Sequence, residues 1–414
     1  MPYVINRDVD KSKYLFFRFS EAEYARRHAK IREFMAERDL DCLLITGYGA
    51  IWDRCWANIV YVMNWMGTME LPAYCVFPKE GEPVVSCLYL NASHEDRAAR
   101  ATIGEVRGTT GRDTDTASIA VERIRELGIA KGRVGLVEPD VAVGIPANHL
   151  EYFKKELPQV EFLSVTRDWW LMRVQKSPEE VAVLEETTRW SDMAHMALAK
   201  IIRPGITERD LFVTVYKTVY GHGADHPSML LIGSGPMDGS YANFQRNRPV
   251  NRVLHRGDII ITELGPRHPG GYEAQVGHVF TLGPCSQLYK DAFKRGVEAH
   301  DTLCDVLRVG KTESDIWETT RPFRESNLDR ASYHTGNWAI VHGMFSIPRD
   351  ARQRIAVDPP EESNPLLPYQ FLTVEVHSAL PDRSGGIFVC KPYIIMPEGP
   401  PKALSQYPLE LTEL

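Results

Sequence analysis

The chain has 414 residues, of which 43% are apolar and 25% charged, and a formal net charge of -7 with both signs spread along the sequence. That balance belongs to a soluble globular protein with more than one core rather than to a disordered chain. It excludes a basic nucleic-acid-binding stripe, and no apolar run is long enough to span a bilayer.

The first residues, MPYVINRDVDKSKYLFF, lack the basic start, apolar run and small-residue cleavage site of a signal peptide, so a cytoplasmic location is expected. Seven cysteines (Cys42, Cys55, Cys75, Cys87, Cys285, Cys304 and Cys390) are scattered with no CxxC pair. They read as small core residues of a reducing compartment, not as a zinc ribbon or disulfide framework.

Up to about residue 165 the pattern alternates between helix and strand. Ser20 precedes the helical stretch EAEYARRHAKIREFMAERDL, with Glu23 spaced to complete a capping box. The runs DCLLITG, LPAYCVFP and EPVVSCLYL read as strands. After them come a helix near ASIAVERIRELG, a strand KGRVGLVE, a helix near ANHLEYFKKELP and a strand QVEFLSV. This order predicts an α/β layered domain with a partly parallel sheet. The stretch from Ile51 to Met66 is dense in aromatics (Trp52, Trp56, Tyr61 and Trp65) and reads first as core, with an exposed ligand or partner surface as the alternative.

A boundary falls near DWWLMRVQKSPEEVAVL, giving domains 1–168 and 169–414. Ser177-Pro178-Glu179-Glu180 is a strong helix start, with a capping residue, a proline at the first helical position and early acids. Beyond it lies an internal repeat. Residues 194–211 (AHMALAKIIRPGITERDL) match residues 299–316 (AHDTLCDVLRVGKTESDI) at an offset of 299 − 194 = 105. Each copy predicts a helix ending at a glycine, then a threonine-capped helix. Each is followed by extended segments, so a duplicated αβ unit with a pseudo-twofold axis is expected.

The extended segments carry the polar residues of interest. IIITELG places Glu263 inside a β-branched run, where a carboxylate must be paired, protonated or functional. Asp258, at the strand entry, reads as a turn residue. A second strand carries Gln275 and His278. His342 interrupts the apolar run WAIVHGMF. In FLTVEVHSAL, Glu375 and His377 alternate and so share a face, and Cys390 lies in GGIFVCKPYIIMP. Polar residues in several apolar strands suggest one shared site.

Several ordered matches over residues 170–400 carry a family resemblance. LMRVQKSPEEVAVL is similar to a helix opening after R-x-x-K-S, and IRPGITERDL to P-G-x-T-E-x-D-L. GDIIITELG with GYEAQVGHVF is similar to G-D-x-x-x-x-D-x-G and G-Y-x-x-D-x-x-R-T-F. HPSMLLIGSGP and FLTVEV also match in order. The chain thus resembles the pita-bread family of creatinase, prolidase, aminopeptidase P and methionine aminopeptidase. The resemblance implies an α+β fold: a duplicated pita-bread catalytic domain preceded by a smaller creatinase-type α/β domain.

Metallopeptidases of that family hold two metal ions with two Asp, one His and two Glu. The first Asp position is Glu263 here and the second is Gln275. The histidine matches His342, with His334 as its rival. The first Glu is Glu375 and the last falls on Cys390. Two hard cations held close together need several negative oxygens between them, and Gln275 supplies none. The resemblance therefore implies no binuclear centre and leaves room for a single divalent ion on Glu263, His342 and Glu375, with Cys390 suited to a softer metal. Creatinase is a metal-free member, and ectoine hydrolase is another in outline. Creatinase's own pattern is nevertheless broken, since Gly277 and not Glu follows the altered ligand. The histidine that relatives carry before the GD element is missing, and Tyr241, Gln245 and Arg246 are the nearest polar residues, with Arg248 beside them.

Three functions follow as expectations. The first is a hydrolase cleaving a C–N bond of a small polar metabolite without metal, with His342, Glu263 and Glu375 catalytic and Arg246, Gln275, Tyr241, His377 and Cys390 lining the substrate. The second is an Xaa-Pro metallopeptidase with an atypical metal site. The third is a non-catalytic binding protein, although a binding module has no reason to keep a histidine between two carboxylate strands. The resemblance also implies a homodimer, with segment 51–66 as the candidate contact. No membrane or nucleic-acid partner is expected.

Overall fold

The structure is a computed structural model. It describes residues 16–47, 54–66, 72–88, 102–109, 115–137, 144–238, 248–326, 328–335 and 364–414, with side chains at 54–57, 88, 109, 226–229, 324 and 329–335 left aside. The chain forms two compact units, Met1–Met172 with Pro269–Gly271, and Arg173–His268 with Tyr272–Leu414.

In the first unit, a six-stranded sheet has the order β4-β3-β2-β1-β5-β6. Its strands are β1 (Cys42–Gly47), β2 (Ala73–Pro78), β3 (Val84–Leu88), β4 (Glu105–Thr109), β5 (Gly132–Val137) and β6 (Val160–Ser164). β1 runs parallel to β5 and antiparallel to β2, which makes the sheet mixed. Alternation along β1 builds two cores. Leu43 and Ile45 pack with Ile31, Phe34 and Met35 of helix α1 (Glu21–Glu37) and with Ile59 and Val62 of α2 (Arg54–Met63). Cys42 and Leu44 pack with Ala117, Ala120 and Ile124 of α3 (Asp115–Glu126) and Phe153 of α4 (Ala147–Glu156). Strand β4 was not foreseen.

One expectation changes in this unit and one is met. Ser20 Oγ accepts from Glu23 N at 3.1 Å, but the Glu23 carboxylate turns to Arg26 and Arg27 instead of back to the cap. Arg27 is fully buried over the Phe19 and Tyr61 rings, and an unpaired guanidinium there would be costly. Tyr61 and Trp65 are core residues, so neither is available as a partner contact. The Trp52 and Trp56 side chains lie outside the described residues.

In the second unit a nine-stranded sheet has the main order β11-β12-β13-β10-β8-β7. The strands are β7 (Asp225–Pro236), β8 (Asp258–His268), β9 (Tyr272–Glu273), β10 (Val276–Thr281), β11 (Asp329–Thr335), β12 (Phe371–Ala379), β13 (Gly386–Ile394), β14 (Lys402–Ala403) and β15 (Leu411–Glu413). The two sequence repeats form matching helix pairs. Following α5 (Thr166–Met172), helices α6 (Pro178–Ile201) and α7 (Glu208–Gly221) form one pair, and α8 (Gln287–Val306) and α9 (Glu313–Thr319) the other. Capping boxes open α6 at Ser177, α7 at Thr207 and α9 at Thr312, as the sequence predicts. Helices α6 and α7 pack on Ile260 and Leu264 of β8, while α8 packs near Val376 and Ile387. Among the described residues, no helix is long and apolar enough to cross a membrane.

Candidate functional site

Helix α6 pins strand β8 from behind. Thr187 Oγ1 donates to Pro266 O, Ser191 Oγ donates to Leu264 O at 2.8 Å, and His195 Nε2 meets Thr262 Oγ1 at 2.9 Å. Four helical residues rise about 6 Å, close to the ~6.8 Å of two strand residues, so the three contacts keep in step. Burial drives the His195 pKa down to about 3, so its imidazole is neutral. Nδ1 donates to Ser191 O at 3.0 Å, which leaves Nε2 to accept from the Thr262 hydroxyl.

With Thr262 and Leu264 turned to the helix, Glu263 must face the other way. Strand register then assembles a row. Glu263 pairs with Gly277, Gly277 with Cys390, Cys390 with Glu375, and Glu375 with Ser332. Directly opposed residues share a face, so four strands deliver Glu263, Cys390 and Glu375 to one place. Gln275 joins them, its Nε2 donating to Glu375 Oε1. All four are buried, Glu263 at 7%, Gln275 at 2%, Cys390 at 0% and Glu375 at 6% exposure.

Electrostatics mark Glu263. Burial first, then the charges of Glu375 and Glu273, lift its pKa well above the usual carboxylate range. No donor to its carboxyl is found among the described residues. The Cys390 thiol is also raised, by burial and then by Glu375 and Glu263, and it donates to Gln275 O at 3.5 Å. It is therefore a protonated packing group, not a thiolate. Gly277 has a physical reason in this row. A Cβ there would lie 2.7 Å from the Phe388 ring and 2.9 Å from Cys390 Cβ, so no side chain fits.

Other expected residues fall elsewhere. His278 belongs to the opposite face, where Nε2 meets Thr412 Oγ1 at 2.8 Å and its ring stands 5.8 Å from that of His195. It is removed from the site by the alternation that puts Gly277 there. Asp258 is more than a turn residue, since it is buried and takes both Arg252 nitrogens at 2.7 Å. His377, two residues along β12 from Glu375, is exposed beside Phe388. Arg248 is exposed. Tyr241, Gln245, Arg246 and His342 lie outside the described residues. The backbone of His334 pairs with Thr373, two residues along β11 from the row. Glu273 was missed, because it stands at a position the family pattern leaves open, and only the fold brings it near Glu263.

The matches to known proteins agree with this architecture. Residues 182–396 match the model of metallopeptidase family M24, and residues 27–175 match the creatinase/prolidase N-terminal domain. The chain belongs to metallopeptidase family M24. Its members include hydrolases acting on carbon–nitrogen bonds, and the chain is an enzyme of that broad class. It is 23% identical to creatinase from a Bacillus species over 320 residues, 75% of this chain and 73% of the relative. It is 24% identical to the probable dipeptidase PepE of Mycobacterium bovis over 305 residues, 72% of this chain and 74% of the relative. The X-Pro aminopeptidase of Thermotoga maritima superposes with a TM-score of 0.73 at 18% identity, over 94% of this chain and 99% of that one, a likeness of fold.

The family's divalent metals pose a test of fit. Among the described residues, no three His, Cys, Asp or Glu side chains are grouped to hold a metal ion. The decisive observation is chemical. Gln275 is neutral and points an N–H at the Glu375 oxygen a cation would need, while the Cys390 thiol proton is committed to Gln275 O. This donor set does not fit two bridged hard cations.

One stability prediction follows from the site. A carboxyl whose folded pKa lies above its unfolded value holds more protons folded than unfolded. Its contribution is full below the unfolded value, near pH 4.5, and is lost as pH rises towards the folded one. Glu263→Gln cannot ionise and escapes that loss. Its advantage should be near zero below pH 4.5 and grow by at most about 1.4 kcal/mol per pH unit above it. Thermal denaturation at pH 4.5 and pH 7.5 reads this out, since ~1 kcal/mol moves a unit of this size by about 2–4 °C. A variant less stable than the parent at pH 7.5 would show that Glu263 is ionised and paired.

Proposed function

We propose that the chain hydrolyses a C–N bond of a small polar metabolite bearing an amidine, guanidinium or ammonium group, without a binuclear metal centre. The observation that carries this reading is the Gln275–Glu375 hydrogen bond, which puts a neutral amide where two cations would need a charged bridge. An organic cation suits the buried acids better. It brings one positive charge with N–H donors for the carboxyls and favours loss of the proton from Glu263. Glu263 and Glu375 hold the cation, or one of them acts as nucleophile or base. His342 moves the proton to the leaving nitrogen, and an arginine near position 246 holds a substrate carboxylate.

A second reading, an Xaa-Pro type peptidase using one metal on Glu263, His342 and Glu375, draws support from the full-length likeness to X-Pro aminopeptidase. Elemental analysis of the purified protein separates the two, followed by a screen of small amidines, lactams and dipeptides with and without chelator. About two manganese, zinc or cobalt ions per chain with chelator-sensitive activity would overturn the proposal. One ion with dipeptide cleavage would favour the second reading.

The working form proposed is a homodimer in the cytoplasm. With Tyr61 and Trp65 buried, the contact is sought at 51–56. Light scattering at micromolar concentration should report about twice the chain mass of 46.9 kDa, and a value equal to that mass would refute the dimer.

A further inference from the structure

We propose that the Phe388 ring is the size-setting wall of this site, limiting the cation held there to a small amidinium, guanidinium or ammonium group and excluding one that carries an aromatic substituent. The inference rests on the reading of the site as one for a cationic C–N substrate. Its basis is where the ring goes. Phe388 lies two residues before Cys390 on β13, so both side chains leave the sheet on the face that carries the row. The ring then leans across to β10. A Cβ on Gly277 would lie 2.7 Å from Phe388 Cε1, so the ring edge occupies the space that a side chain at 277 would fill. Gly277 itself stands in the row between Glu263 and Cys390. The missing Cβ and the aromatic ring are complementary, and the ring edge stands within the row.

The other flank of the ring faces outward. Phe388 pairs with His377 on β12, and the two ring centroids lie 4.7 Å apart at a tilt of 48°. His377 is exposed, whereas Phe388 is only 2% exposed. Between the strands of Glu263 and Glu375 the row is thus floored by the Gly277 backbone, the Cys390 thiol and the Phe388 ring, none of them charged. A ligand that reaches both strands passes over that floor. Interiors are close-packed, and a ring flanked on both sides has little room to move. A bulky apolar substituent beside the cation therefore clashes with it, while a methyl-sized one does not. Without the ring, the same place becomes an apolar hole of the kind that takes up a phenyl group.

The test uses the full chain, with acetamidinium chloride, benzamidinium chloride and benzamide as probes, read by calorimetry. The parent should bind acetamidinium and take benzamidinium about tenfold more weakly or worse. Phe388→Ala should tighten benzamidinium by about tenfold or more, the weight of burying an aromatic ring, and should prefer it to neutral benzamide. If Phe388→Ala does not fold, Phe388→Leu, which removes the ring and keeps most of the packing, carries the same comparison. A folded variant that binds acetamidinium but takes benzamidinium no better than the parent would overturn the wall and leave the functional reading standing. So would a parent that binds the two cations equally. A variant that binds benzamide as tightly as benzamidinium would place the hole away from the cation and overturn the wall too. Binding of neither cation by parent or variants would sink the functional reading, and this proposal with it.

Discussion

Replacing His342 by alanine should lower turnover on the true substrate by roughly two to four orders of magnitude, the span expected when a general acid–base group is removed. The expectation starts from what the other site residues cannot do. The carboxyls of Glu263 and Glu375 share a strand row, and the Cys390 thiol is held protonated by burial and by their charges. Gln275 is spent on Glu375. In the proposed reading the two carboxyls hold the substrate cation and neither the thiol nor the amide exchanges a proton near neutral pH, which leaves the shuttle to an imidazole. The family pattern supplies a histidine at this point, and His342 matches it at a spacing of 375 − 342 = 33 residues from Glu375. The variant should keep its fold, because polar site residues contribute little to the packing core. Steady-state turnover with circular dichroism as the folding control checks this. Full activity would move the role to His334, and then to Tyr241 or Arg246.

The double replacement Gln275→Asp with Cys390→Glu should take up about two manganese or cobalt ions per chain, where the proposed reading expects no binuclear centre in the parent. Its logic is charge. Two adjacent divalent ions repel each other unless negative oxygens lie between them, and these two positions are where the family carries such oxygens. In the parent, the Gln275 amide and the Cys390 thiol occupy those places in the strand row. The cost falls on packing, since Cys390 is fully buried beside Gly277 and the Phe388 ring. Gln275→Asp alone is therefore the milder control and should bind one ion weakly. Metal content after dialysis and titration calorimetry read the result independently of any activity. A folded double variant that takes up no metal would show that these are not the ligand positions.

Local patterns in the chain were sufficient for much of the fold. The capping boxes at Ser177, Thr207 and Thr312 are four-residue signals, and they hold because a cap needs only its own turn. The same signal at Ser20 is only half realised, because buried Arg27 reaches Glu23 first, a competition that depends on Phe19 and Tyr61 closing over it. Glu263 and Glu375 stood out by themselves, as acids inside apolar strand runs whose charge must be answered somewhere. What answers it was decided in three dimensions. Strand register, set by pairings more than 100 residues apart in the case of Gly277 with Cys390, aligns Glu263, Gly277, Cys390 and Glu375. The same alternation turns His278 to the helix face, one residue from a place in the site. Glu273 enters only because Gly265 has no side chain. No local pattern carries such information, since it depends on which backbone lies opposite which.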